Sequence, residues 1–177
     1  MSTRCQVRIS SGNELSKNSP DFFAPEPDTM LYHHCDGYPS NMIPIIAKTF
    51  RWGYKPRTLY KGGEPNIYYR YQMDRPGYIA SHLCYHDPTG FSVENLDVGL
   101  HGDIEWYYKI NTKGSNDSVK WEVSIYSAQI QREGDPKLHL VLTGDILKLV
   151  TRKNQLTEET EQKIAEVEKE IYGEASV

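Results

Sequence analysis

A chain of 177 residues with 38% hydrophobic and 25% charged residues is long enough to bury a core as one domain and too apolar to be disordered throughout. Its formal net charge of −4 excludes a protein that coats nucleic acid or anionic lipid through bulk charge. No run approaches the roughly 18 apolar residues of a membrane span, and the N-terminus lacks the apolar centre of a secretory signal, so a cytoplasmic protein without a membrane is expected.

Cys5, Cys35 and Cys84 form an odd set without CxxC spacing, which fits reduced thiols better than a disulfide framework. Thirteen tyrosines stand against four phenylalanines. That surplus suits a tyrosine-rich sheet face or a binding surface, because the ring is apolar and its tip polar.

Arg4 to Ser10 alternates polar and apolar residues and predicts a half-buried strand with Cys5, Val7 and Ile9 on one side. Residues 11–28, rich in Ser, Asn and Pro, predict a loop, and Met30 to His33 a short strand returning beside the first. Ser40 to Phe50 carries Met42, Ile43, Ile46 and Phe50 at helical spacing. Ser40 or Asn41 is the candidate cap, and Pro44 is expected in the first turn, where its missing N–H costs nothing. Residues 51–76 are punctuated by Gly53, Pro56, Gly62, Gly63, Pro65 and Pro76 and read as an irregular insert.

Tyr78 to Tyr85 predicts a short helix before the turn Asp87-Pro88-Thr89-Gly90. Strands are expected at Phe91 to Glu94, Asp103 to Asn111, Val119 to Gln129 and Leu138 to Leu142, while Ile146 to Val150 fits either a helix or a strand. Residues 156–172 give a clear helix, capped by Thr157, with Glu158, Glu159 and Glu161 at its positive end and Ile164, Val167 and Ile171 as an apolar stripe. The sum is one α+β domain over residues 1–177. It has a mainly antiparallel sheet, two or three helices packed on one face and an amphipathic C-terminal helix through which the chain could form a homo-oligomer.

Four constellations carry chemistry. In His33-His34-Cys35-Asp36-Gly37-Tyr38-Pro39, strand alternation sends His33 and His34 to opposite faces and lets His34 share a face with Asp36. A histidine and a carboxylate in a loop at a strand end can serve as base and orienter, as metal ligands, or as hooks for a polar ligand; Asp36-Gly37 is also ordinary turn chemistry. In His101-Gly102-Asp103-Ile104-Glu105, the same alternation predicts His101, Asp103 and Glu105 on one side of a strand, with a solvated sheet edge as the bland alternative.

His82 and His86, four apart on a helix, have the spacing of a helical zinc pair but lack the glutamate of HExxH; a pair of surface histidines is the simpler reading. Between Arg51 and Arg75 stand Arg51, Lys55, Arg57, Lys61, Arg70 and Arg75 against only Glu64 and Asp74, interleaved with aromatics such as Tyr60 and Tyr69. Cations for phosphate and rings for stacking are what a nucleotide requires. A solvated loop would look the same, and neither GxGxxG nor GxxxxGK[ST] occurs.

The segments Leu31-Tyr32-His33-His34-Cys35-Asp36-Gly37-Tyr38-Pro39 and Leu100-His101-Gly102-Asp103-Ile104-Glu105-Trp106-Tyr107-Tyr108 resemble a loosely described prokaryotic and phage family with a His-x-Asp-Gly-Tyr-Pro strand end and a later His-Gly-Asp-Ile-Glu strand. The resemblance covers a small part of the chain and carries no activity. It implies that His34, Asp36, His101 and Asp103 form one site, and it suggests a setting in phage defence or nucleotide signalling.

Three readings follow. In the leading one the protein binds a small anionic, nucleotide-like ligand, with Arg51, Arg57, Arg70 or Arg75 on phosphate, Tyr38 and Tyr69 stacking, and the His34/Asp36 loop adding hydrogen bonds. In the second it is a hydrolase or phosphodiesterase with His34 and His101 as acid and base, and Asp36 and Asp103 orienting them or holding a divalent ion. In the third it is an interaction module without a small ligand. No cofactor is expected outside the metal-dependent form of the second reading.

Overall fold

Strict alternation gives the N-terminal strand two unlike faces, Cys5, Val7 and Ile9 on one and Gln6, Arg8 and Ser10 on the other, and the fold is arranged around that difference. The computed structural model describes residues 3–12, 28–54, 73–88, 90–114, 119–131 and 134–172. Its elements, in chain order, are β1 (Cys5–Ser11), β2 (Thr29–His33), α1 (Pro39–Tyr54), α2 (Pro76–His86), β3 (Phe91–Glu94), β4 (Trp106–Lys113), β5 (Lys120–Gln129), β6 (Lys137–Asp145), α3 (Ile146–Leu149) and α4 (Glu158–Tyr172).

The six strands form one sheet in the order β3-β2-β1-β4-β5-β6. β1 pairs parallel with β4, and the other neighbours pair antiparallel. This is the expected α+β architecture, a mostly antiparallel sheet with a C-terminal helix.

Cys5, Val7, Ile9, Leu31, Tyr108, Ile110, Val123 and Ile125 face the helices, where they meet Ile43, Ile46 and Phe50 of α1, Ile79 and Leu83 of α2, and Ile164 of α4 in one buried cluster. The opposite face carries a smaller cluster of Met30, Tyr32, Tyr107 and Ala128, covered by Ile104 and by the half-buried Leu96 and Leu100 of the β3–β4 connection. The tyrosine surplus thus divides: Tyr108 lies in the main core, while Tyr32, Tyr107 and Tyr126 line the second face. Among the described residues no helix is long and apolar enough to cross a membrane.

α1 departs from expectation at both ends. It begins at Pro39, whose missing N–H is harmless in the first helical position. The carbonyl of Tyr38 accepts from the amides of Asn41 (3.0 Å) and Met42 (2.9 Å), so Tyr38 rather than Ser40 or Asn41 occupies the capping position. Pro44 therefore falls in the second turn and leaves the Ser40 carbonyl without its helical donor.

At the other end Arg51–Tyr54 continue the helix instead of opening the insert. Gly53 permits this, because a Cβ there would overlap the sulfur of the buried Met73. Met73 in turn accepts from Trp121 Nε1 at 2.8 Å through its carbonyl, so the end of the insert is core. α4 begins as predicted, with Thr157 Oγ1 accepting from the Thr160 amide at 3.3 Å.

The passage from β2 to α1 is a close approach of backbone to backbone. Asp36 takes φ +54°, a left-handed conformation that Asp tolerates better than most residues. Gly37 then lies flat on β1, its amide donating to the Thr3 carbonyl (2.9 Å) and its own carbonyl accepting from the buried Tyr108 hydroxyl (2.7 Å). A Cβ on Gly37 would stand 2.9 Å from the Arg4 carbonyl carbon and 2.8 Å from Cys5 Cβ, whereas one on Gly102 would meet nothing within 4 Å. Gly37→Ala is therefore expected to destabilise the fold by about 1–3 kcal/mol. Gly102→Ala should stay within roughly 0.5 kcal/mol of the parent. Urea unfolding of the two variants side by side checks the contrast.

Candidate functional site

The site is a row of side chains across the sheet face opposite the helices. The strand registers align Ser92 of β3, Tyr32 of β2, Gln6 of β1 and Tyr107 of β4, so that one residue of each strand faces the same way. Tyr32 is the middle of the cluster. The ring of His34 meets it edge-on at a centroid distance of 4.8 Å, and the ring of His101 lies against it at 4.7 Å. The Tyr32 hydroxyl donates to Asp103 Oδ2 at 3.2 Å, and the same carboxylate pairs with Arg4 Nη1 at 2.5 Å.

Each histidine has a polar neighbour. His34 Nε2 lies 3.2 Å from Ser92 Oγ, and the His34 amide donates to the Gly90 carbonyl at 3.0 Å. His101 Nε2 lies 2.8 Å from Glu94 Oε1, close enough for an ion pair when the ring is protonated, though its N–H is not directed at that oxygen.

Gln6 holds the second half together. Fully buried, it donates through Nε2 to Glu94 Oε2 (2.9 Å) and to the Gly99 carbonyl (3.2 Å), and its Oε1 accepts from the His101 amide (3.0 Å). A primary amide is the side chain that can donate twice and accept once from one point. Burial first, and the Asp103 carboxylate second, push the Tyr32 phenol above its ordinary range; burial does the same for Tyr107, against an opposing Arg8. Both phenols therefore stay protonated at neutral pH.

Of the residues singled out from sequence, His34, His101 and Asp103 surround Tyr32. Asp36 does not join them: it is exposed and serves the turn, its carbonyl accepting from Asn41 Nδ2 at 2.9 Å. His101, Asp103 and Glu105 do not belong to a strand, since β4 begins at Trp106 and residues 101–104 form a turn closed by the Ile104 amide on the His101 carbonyl. It is this turn, rather than strand alternation, that brings His101 and Asp103 to Tyr32.

Arg51 lies elsewhere, its guanidinium donating to the carbonyls of Thr151 (3.1 Å) and Arg152 (2.9 Å) and to Asn154 Oδ1 in the α3–α4 connection. Arg75 occupies the capping position of α2, and Tyr38 borders a groove of about 340 Å³ shared with Leu156, Ile164 and Glu168. Arg57, Arg70 and Tyr69 lie outside the described residues. His82 and His86 both pack on Trp52, at 4.7 and 5.4 Å, and among the described residues no three His, Cys, Asp or Glu side chains are grouped to hold a metal ion.

Gln6, Tyr32, Ser92, Glu94 and Arg4 were not read from sequence as parts of the site. A glutamine or tyrosine on the polar phase of a strand carries no motif, and its role emerges only from cross-strand register. No protein-family model, curated protein or solved structure matches the chain.

Two outcomes test this geometry. Gln6→Leu keeps the volume but strands a carboxylate, a carbonyl and an amide, so a loss of about 1–3 kcal/mol in chemical unfolding is expected. Because the buried Cys5 thiol and the phenols of Tyr32, Tyr107 and the core Tyr108 all ionise less readily folded than unfolded, stability should fall as the pH rises above about 8.5, where unfolded cysteine ionises, and more steeply above about 10, where unfolded tyrosine does. Melting curves from pH 7 to 11 measure that slope.

Proposed function

We propose that the protein binds a small polar ligand with an anionic, phosphate-like group, of nucleotide-like chemistry, on the sheet face marked by Tyr32. The observation that carries the reading is the placement of two imidazoles against one tyrosine ring, His34 exposed and His101 one-third exposed, beside the exposed guanidinium of Arg4. Imidazolium and guanidinium groups donate hydrogen bonds to anionic oxygens, and such charge-assisted bonds are the stronger kind. Tyr32, only 6% exposed, supports the two histidines and leaves little of its ring for a base to stack on. Recognition on this reading falls to His34, His101 and Arg4, and Arg51 serves the fold.

A second reading is favoured by one specific feature. Each of the two imidazoles has a polar side-chain atom close by, Ser92 Oγ hydrogen-bonded to His34 and Glu94 Oε1 2.8 Å from His101 Nε2, and paired imidazoles can act as acid and base in hydrolysis of a phosphate ester. Asp103 is bonded to Tyr32 and Arg4 and so orients neither ring directly.

Calorimetric titration with inorganic phosphate and a panel of nucleoside mono- and triphosphates, followed by analysis of the recovered nucleotide, separates the two. Binding of unaltered nucleotide is expected, with His34→Ala, His101→Ala and Arg4→Ala each weakening it about tenfold or more. Turnover abolished by His101→Ala with binding kept would establish the hydrolase instead. Absence of any phosphate-dependent heat, or unchanged affinity in all three variants, would end the ligand proposal.

A further inference from the structure

The consecutive histidines divide between the two faces of the sheet, and the inward one is held in an unusual way. His33 is 1% exposed, packs edge-on against Phe91 at 4.6 Å, and places Nε2 2.8 Å from Asp87 Oδ2; its Nδ1 is buried with no hydrogen-bond partner among the described residues. The contact with a carboxylate, which can only accept, places a proton on Nε2.

Asp87 is itself oddly sited. It terminates α2, its amide donating to the Leu83 carbonyl, and a carboxylate at the negative end of a helix is disfavoured by the helix dipole. Gly90 completes the arrangement: a Cβ there would overlap the His33 ring and come within 2.8 Å of Asp87 Oδ2. A buried imidazole, a carboxylate at the unfavoured end of a helix and an obligatory glycine therefore converge on one contact.

The same three residues hold the His34 half of the site. His33 immediately precedes His34, Gly90 accepts the His34 amide, and the next residues along β3 lead to Ser92, whose hydroxyl meets His34 Nε2. The His101 half is held separately, by Gln6 and Glu94. We infer that the His33–Asp87 pair is a positioning device for His34: it locks the end of β2 to the α2–β3 turn, and so fixes the His34 imidazole against Ser92 and Tyr32. His33 and Asp87 touch no ligand in this arrangement and act only through His34. The consequence for ligand affinity rests on the proposed function above, whereas the positioning itself does not.

The test uses the whole protein without ligand. Ring resonances of His34 and His101 are assigned by long-range nitrogen–proton correlation in the parent, in Asp87→Asn, which keeps an acceptor but removes the charge, and in His33→Gln, which keeps a donor without the ring. Displaced His34 resonances beside unmoved His101 resonances are expected in whichever variants fold. In those variants, affinity for a nucleoside monophosphate should fall roughly three- to tenfold, the worth of one hydrogen bond. His34 resonances that stay in place, or His34 and His101 moving together as general loosening would make them, overturn the inference. Displacement of His34 alone with no nucleotide bound by any form, parent included, upholds the positioning and rejects the ligand.

Discussion

Both halves of the site hang on three residues of backbone at the start of the first strand. Thr3 accepts the Gly37 amide, Arg4 accepts the amides of Glu105 and Trp106, and Cys5 stands opposite His33 on one side and Trp106 on the other. β2 runs antiparallel to β1 and ends where β1 begins; β4 runs parallel to it and begins there too. That combination delivers the end of one strand and the entry to another to the same edge of the sheet. An antiparallel β4 would have sent His101 and Asp103 to the far end. The single parallel pairing in an otherwise antiparallel sheet is thus the constraint from which the cluster around Tyr32 follows.

The close approach at Gly37 makes the arrangement rigid. A chain leaving β2 must reverse over β1 to start α1, and it does so with one left-handed residue, Asp36, and one residue without a side chain. The Tyr108 hydroxyl satisfies the Gly37 carbonyl from within the core, so the turn is tied to both layers of the protein. Asp36 is spent on this geometry. Its motif position beside His34 reflects how the chain turns, and the bland reading of Asp-Gly as turn chemistry describes it better than any role in the cluster.

Much of the fold was legible because periodicity and turn residues report burial directly. β3 has the expected limits, and β1, β2, β5 and α4 shift by one or two residues where alternation or capping was clean, as at Cys5, Val7 and Ile9 or at Thr157. The misreadings came where a punctuating residue had a tertiary reason. Gly53 reads as punctuation of an irregular insert, yet it makes room for Met73 inside the helix; Pro44 suits a first turn, yet α1 accepts it in the second. Alternation predicts a strand from Asp103 to Asn111, but the β4 ladder starts only at Trp106. Within the site, the two His-x-Asp segments could be named from sequence, whereas Gln6 could not. Its three hydrogen bonds go to residues 88 to 95 positions away, and nothing local marks a strand glutamine as the junction of such a network.

The His33-His34 pair shows how closely core and candidate site are coupled. In a strand, adjacent side chains point to opposite faces, so a one-residue shift of register at the end of β2 would exchange a buried histidine for an exposed one. A buried imidazole left without Asp87 would be an unpaired polar group in an apolar layer, and an outward His33 would leave Phe91 with a gap. Each histidine therefore excludes the wrong placement of the other. Specificity of register at this strand end comes from a polar contact inside the core, and the exposed imidazole inherits its position from the buried one.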